Sequence, residues 1–318
     1  MNIFRRALRF FLIVLGLLVG FVLAAAAFFA RYLIRPPREA VWATPDEIGL
    51  PYETVQFPAE DGIRLAGWFI PAPADSTRQG AAIVLVHGWP WNRLGTAAVD
   101  MFAKLSGNLA LDFLRLAHAL HLDGYHVLMF DLRNHGESAA APPVTFGWQE
   151  ANDVLGAVGY LNGRSEVDSG RIGVVGFSMG ANALLHALPQ TGLIQAGVAV
   201  QPTSAAVFAA RYATDLLGPL GKLVLPVTEM IYKANGGPAF NALQPAFAVA
   251  GAGKTPVLFI QGTGDRWGSP EDVAEMAQAT LGASGPLLID TFHRFAGYQY
   301  AIDNPLVLSA FFEQHLPE

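Results

Sequence analysis

The chain has 318 residues, 52% of them hydrophobic and only 14% charged, with a net charge of −6 and no cysteine. That composition excludes a disordered chain, and the absence of cysteine excludes disulfides, thiol catalysis and cysteine-based zinc sites. All six charged residues in 1–38 are arginines, leaving residues 39–318 with 14 basic and 26 acidic groups, net −12, an acidic body without a basic stripe that argues against a nucleic-acid partner.

Phe10 to Ala30 is an uncharged run of 21 residues, matching the ~20 needed to cross a bilayer core. A buried core helix would show a polar face, and none is visible. A cleaved signal peptide is the rival reading, with Ala24–Ala27 as its cleavage region, but the run exceeds the usual apolar region of roughly 7–15 residues. The expectation is an uncleaved single-pass anchor. Arginines flank both ends, and the terminal amine tips the orientation to N-terminus inside, body outside. Pro36-Pro37 ends the helix and opens a linker.

Residues 54–58 and 63–70 alternate like strands around the turn signal Asp61-Gly62, so they read as an antiparallel hairpin. Ala81–Val86 is a short apolar strand leading into His87-Gly-Trp-Pro-Trp-Asn92. A helix is expected over Leu109–Leu122, a strand over His126–Asp131, and a helix around Trp148–Leu161.

The apolar run Arg171–Phe177 leads into Gly176-Phe-Ser-Met-Gly180, and a helix-friendly run to Leu188 leads out before Pro189. A serine on so sharp a strand-to-helix turn has its hydroxyl lifted clear of the sheet, and a Cβ at Gly176 or Gly180 would crowd that turn. Ser178 is therefore the candidate nucleophile. The amide of Met179, at a helix N-terminus, is a candidate oxyanion donor.

A strand over Ile194–Gln201 follows. Residues 203–252 then hold two helical patterns and no strand, the signature of an inserted cap rather than a bare loop. The alternation resumes with a strand over 256–261, a helix over 270–281, a strand over 286–291 and a last helix over 305–315. Strands alternating with helices imply a mostly parallel sheet whose carboxyl edge carries the functional residues.

In this order and spacing, the Asp61-Gly62 hairpin, His87-Gly88, Asp131-x-Arg133-x-x-Gly136-x-Ser138, the Ser178 pentapeptide, Gly262-x-x-Asp265-x-x-x-x-Pro270 and a late histidine resemble the α/β-hydrolase superfamily over nearly all of 50–318. Within it the chain is similar to bacterial membrane-anchored hydrolases of the prolyl-oligopeptidase-like or serine-aminopeptidase-like kind. The resemblance implies a mostly parallel eight-stranded sheet with helices on both faces, an anchor and linker over 1–38, and a catalytic domain over 39–318 with its cap at 203–252.

The superfamily's order of serine, acid and histidine implies Asp265 as the acid and His293 as the base. Thr291-Phe292 stand where the family usually has small residues before the histidine. Glu271, Asp272 and Asp290 are weaker candidates for the acid, being inside a helix or at a strand end. The second oxyanion donor is expected from the amide of Trp89, with Gly88 giving room and Pro90 stiffening the turn through a cis bond. His-Gly-x-Pro also occurs in epoxide hydrolases and haloalkane dehalogenases, whose nucleophile is aspartate, so Ser178 argues against those chemistries. Asp131, Arg133 and Ser138 are expected to hold loops. His118, His121 and His126 make too thin a set for zinc; no metal or cofactor is expected.

The implied activity is a membrane-tethered serine hydrolase (carboxylesterase- or lipase-like) acting on a small-molecule or lipid-like ester. A peptidase would need acidic cap residues to hold a substrate amine, and Asp215 and Glu229 are the acidic residues there. A catalytically silent scaffold binding a lipid or protein would show a broken triad.

Overall fold

The computed structural model describes residues 2–78, 80–99, 103–104 and 107–316. Helix α1 runs from Asn2 to Ile34, 33 residues and so about 50 Å long. It is long and apolar enough to cross a membrane, with most of its surface exposed. Only toward its C-terminal end does it meet the body, where Ala26 and Ala30 are fully buried.

The body is built on one eight-stranded sheet in the order β1-β2-β6-β3-β7-β8-β9-β10. The hairpin β1 (Glu53–Pro58) and β2 (Arg64–Ile70) supplies the antiparallel edge, as expected, with Val55 opposite Gly67. β3 (Ala82–Val86), β6 (His126–Phe130), β7 (Ile172–Phe177), β8 (Ile194–Val200), β9 (Val257–Gly262) and β10 (Ala283–Ile289) run parallel. Every residue of β3, β6 and β7 is buried. That is why these strands read as unbroken apolar runs, with helices covering both faces.

One face carries α3 (Ala151–Asn162), α4 (Met179–Ala187) and α8 (Pro270–Ala279). The other carries α2 (Phe113–Leu122), α9 (Arg294–Asp303) and α10 (Pro305–His315). Between β8 and β9 the chain makes α5 (Ala205–Leu217), α6 (Gly221–Ala234) and the short α7 (Pro245–Val249), with α6 packed along α1.

Three departures from expectation have local causes. α2 starts at Phe113 rather than Leu109, because Leu111–Asp112 (β5) pair with Gly95–Thr96 (β4). The Asp112 carboxylate then caps the helix by accepting from the Leu114 amide at 2.9 Å, a contact worth about 1 kcal/mol. β10 starts at Ala283, three residues early, since Pro286 sits in a register shift of an edge strand rather than before one. Helix α9 was not expected at all: its ten residues lack a clean apolar stripe, and tertiary packing of Phe295, Tyr298 and Ile302 holds it.

Candidate active site

The nucleophile turn comes directly from close packing. A Cβ on Gly176 would lie 2.4 Å from the Gly180 carbonyl oxygen, and one on Gly180 would lie 2.3 Å from that of Val86. Both neighbours are backbone, so neither can yield. Between these glycines Ser178 takes φ 53° and ψ −114°, a conformation that costs on the order of 1–3 kcal/mol and is held by its surroundings. Its amide donates to Val200 and its carbonyl accepts from Asn182. Asn182 in turn ties Phe146 and Thr203 to the helix through three further bonds of 2.9–3.1 Å. Met179 opens α4, in the first turn, where amides have no partner within the helix.

Trp89 follows β3, and its bond to Pro90 is cis, as expected. Gly88 is required by close approach: a Cβ there would stand 2.6 Å from the Trp91 ring. The neighbouring His87 is fully occupied, its Nδ1–H donating to the Gly88 carbonyl while Nε2 accepts from the Leu132 amide. Burial pulls its pKa down to about 4, so it is neutral at physiological pH.

Asp265 lies just past β9, buried. Its Oδ1 accepts from the amides of Trp267 and Gly268, both at 2.9 Å. Oδ2 accepts from the Gln261 side chain at 3.2 Å and from Nη1 of Arg294. It is not the cap of α8, a role filled by Ser269, which accepts from the amides of Glu271 and Asp272. Asp272 instead receives the amide and hydroxyl of Ser204 at the start of α5. Glu271 pairs with Ser269, and Asp290 with Thr263 at 3.4 Å.

The structure departs here from the expected side-chain pairing. The group joining Asp265 to Ser178 is the guanidinium of Arg294, not the imidazole of His293. Nη1 of Arg294 donates to Asp265, Nη2 lies 3.2 Å from Ser178 Oγ and 2.6 Å from the Gln201 carbonyl, and Nε donates to the Tyr298 hydroxyl. Burial pushes the Tyr298 hydroxyl up to about 12, so it stays protonated. Gly268 makes room for this network, since a Cβ there would fall 2.4 Å from both Arg294 Nη1 and Asp265 Oδ2.

His293, the residue before, caps α9: its Nδ1 accepts from the Phe295 amide at 3.1 Å. Its ring packs 5.4 Å from that of Trp267 and 5.6 Å from that of Phe295. With Nδ1 accepting, it is in the tautomer opposite to the one a carboxylate partner would select. Phe292 beside it is 96% exposed.

Ser178 opens into a cavity of about 280 Å³ shared by Trp89, Trp267, Arg294 and Tyr298, with Tyr32 and residues 37–40 of the linker along one wall. Arg294, Tyr298 and Gln201 (φ 49°) were missed at the sequence level. The one signal available was a basic residue with a tyrosine four positions on, one helical turn away.

The other motifs hold loops, as expected. Asp131 accepts from the Arg93 guanidinium at 2.6 Å and from the amides of Arg93 and Glu137 at 2.8 Å. Arg133 bridges Asp61 and Asp153 with bonds of 2.7–2.8 Å. Ser138 Oγ accepts from Ala66 and donates to the Asp131 carbonyl. His121 and His126 bind the carbonyl of Pro71 and the amide of Ala72.

A parallel sheet flanked by helices, with a serine on a strained elbow at its carboxyl edge, defines the α/β-hydrolase class. A family model described as the alpha/beta hydrolase family matches residues 83–307, and the chain belongs to that family. Among curated proteins it is 30% identical over 156 residues to YfhR of Salmonella typhi, described as uncharacterized, covering 48% of this chain and 44% of YfhR. A Mycobacterium tuberculosis protein, also described as uncharacterized, is 28% identical over 208 residues, covering 65% of this chain and 59% of its own length. The chain thus spans about half the length of the curated relatives it matches.

Among solved structures, an esterase of Pyrococcus furiosus superposes with a TM-score of 0.66 at 24% identity, covering 90% of this chain and 99% of that one. An acylaminoacyl peptidase of Pyrococcus horikoshii gives 0.59 at 18% identity, covering 84% and 42%. Both likenesses are of fold.

Proposed function

We propose that this chain is a membrane-tethered serine hydrolase that cleaves a hydrophobic carboxylic ester through an acyl-enzyme on Ser178. The observation that supports it is the strained Ser178 elbow, which sets a hydroxyl on the floor of a largely aromatic cavity at the head of a helix. Ser178 attacks the carbonyl, and the amides of Met179 and Trp89 receive the oxyanion. Each donor of this kind contributes about 3–4 kcal/mol to the transition state. The ester C–O bond breaks and the alcohol departs with the proton taken from Ser178; water then adds to the acyl-enzyme, releases the acid and restores the serine hydroxyl.

The serine needs a proton acceptor, and a guanidinium is not one. His293 takes that role when the segment Thr291–Arg294 shifts, so that its imidazole replaces Arg294 on Asp265 and Nδ1–H, rather than Nδ1, faces the carboxylate. In the resting state Arg294 occupies that place. The acidic cap residues favour an ester over a peptide. Asp215 already accepts from the Trp267 indole at 2.9 Å and Glu229 from the Phe240 amide at 2.8 Å, so neither is poised for a substrate amine.

A second reading, a catalytically silent scaffold, is favoured by the Arg294–Asp265 pair itself. Fluorophosphonate labelling of the full chain separates the two. Hydrolysis requires covalent label on wild type, none on Ser178→Ala and strongly slowed labelling on His293→Ala. An unlabelled, folded wild type would sink it.

A further inference from the structure

The anchor helix does more than tether. A second, open cleft of about 50 Å³ lies between α1 and the helices inserted after β8. Its walls are Phe29 and Leu33 of α1, Ala209 and Ala213 of α5, and Val224 and Leu225 of α6. The one hydroxyl of α6 facing it, that of Thr228, is turned back onto the Val224 carbonyl at 3.0 Å, so the lining offers little to a polar group. Trp89, Phe208 and Tyr212 belong to this cleft and also to the cavity that holds Ser178. Phe208 and Tyr212 stack at 5.3 Å, and Trp89 meets Phe208 edge-on at 6.3 Å. The cleft and the nucleophile are thus separated by one layer of aromatic rings.

Outside the cleft both helices also present large apolar side chains. Leu223 and Met230 of α6, the helix packed along α1, are 50% and 63% exposed, and the exposed residues of α1 from Phe10 to Leu23 carry no charge. Exposed large apolar side chains on neighbouring helices fit contact with a membrane or a hydrophobic ligand.

We infer that this cleft is the acyl site for an ester resident in the bilayer, and that α1 forms one wall of it. This rests on the proposed ester hydrolysis at Ser178. The ester carbonyl sits at Ser178, the acyl chain crosses the aromatic layer into the cleft, and its remainder lies along α1 and α6 within the bilayer. The alcohol portion takes the opposite side of the larger cavity, against residues 37–40 of the linker. The substrate reaches the serine sideways from the membrane, without passing through water.

Two measurements on the full chain in phosphatidylcholine vesicles test this. The first is the ratio of p-nitrophenyl palmitate to p-nitrophenyl butyrate turnover in Ala209→Trp and Ala213→Trp, which fill the cleft. The ratio falls at least about tenfold against wild type, whereas a ratio within about twofold of wild type overturns the assignment. The second is photocross-linking with a diazirine palmitic acid, which needs no turnover. Cross-links fall on the peptides holding Phe29–Leu33 and Phe208–Ala213, and Ala209→Trp suppresses them; label elsewhere, or unaffected by the substitution, overturns it. Absent ester turnover with correct cross-links would remove the hydrolase reading and leave the cleft as an acyl-binding site.

Discussion

Asp265 Oδ1 is committed to two backbone amides, so its other oxygen decides which residue of the pair His293-Arg294 it holds. Arg294 is fully buried on that oxygen. Removing one partner of a buried ion pair leaves the other uncompensated, at a cost of about 3–5 kcal/mol. Arg294→Gln is therefore expected to lower stability by that amount in chemical denaturation in detergent. Its folded fraction should still react with fluorophosphonate, because Asp265 is then open to His293. Loss of labelling as complete as in Ser178→Ala would overturn the replacement of Arg294 by His293 on Asp265. At the elbow, Gly180→Ala drives a Cβ into the Val86 carbonyl. Overpacking against backbone should cost about 1–3 kcal/mol, read as a lowered Tm.

At the level of elements, the loops after β3 and β6 each carry a buried imidazole. The His135 Nδ1–H donates to the Arg133 carbonyl, and its ring meets that of His87 edge-on at 5.2 Å. Burial lowers His87 to about 4 and His135 to about 3 from the ordinary 6.5. The unfolded chain then binds protons that the folded chain refuses, so the stability these residues contribute is complete above pH 6.5 and is lost as pH falls toward 4 and below. Tm measured across that range should fall on acidification, and His135→Phe should flatten the slope; an unchanged slope would exclude His135 as its source. The same scale shows what was legible beforehand. The hairpin, the buried parallel strands and the glycine elbow obey local rules of pleat, burial and close approach, and each is found where expected. The occupancy of Asp265 does not obey such rules. Motif order places a histidine after the last strand, but two adjacent side chains at a strand-to-helix junction point in different directions. Which of them turns inward is decided by Tyr298 and Gln201, from an unforeseen helix and the end of another strand.

For the whole molecule, α1 is expected to hold the chain in a bilayer through its uncharged middle. Carbonate extraction of membranes carrying the full chain should leave it in the pellet. Introducing Leu15→Arg and Leu18→Arg, each costing about 2.5–3.5 kcal/mol at a helix centre, should release it; retention of the double variant would exclude the helix as the anchor. The linker beyond the helix is in turn firmly joined to the body. The Asn92 side chain donates to the carbonyls of Glu39 and Ala40, and Arg38 donates to those of Gly136 and Ser138. With α1 in a bilayer as proposed, so short and so riveted a neck would keep the mouth above Ser178 at a constant height and tilt over the lipid plane. For the proposed ester hydrolysis, encounter would then be a two-dimensional search, in which turnover follows the mole fraction of ester in the surface and ignores its amount per litre.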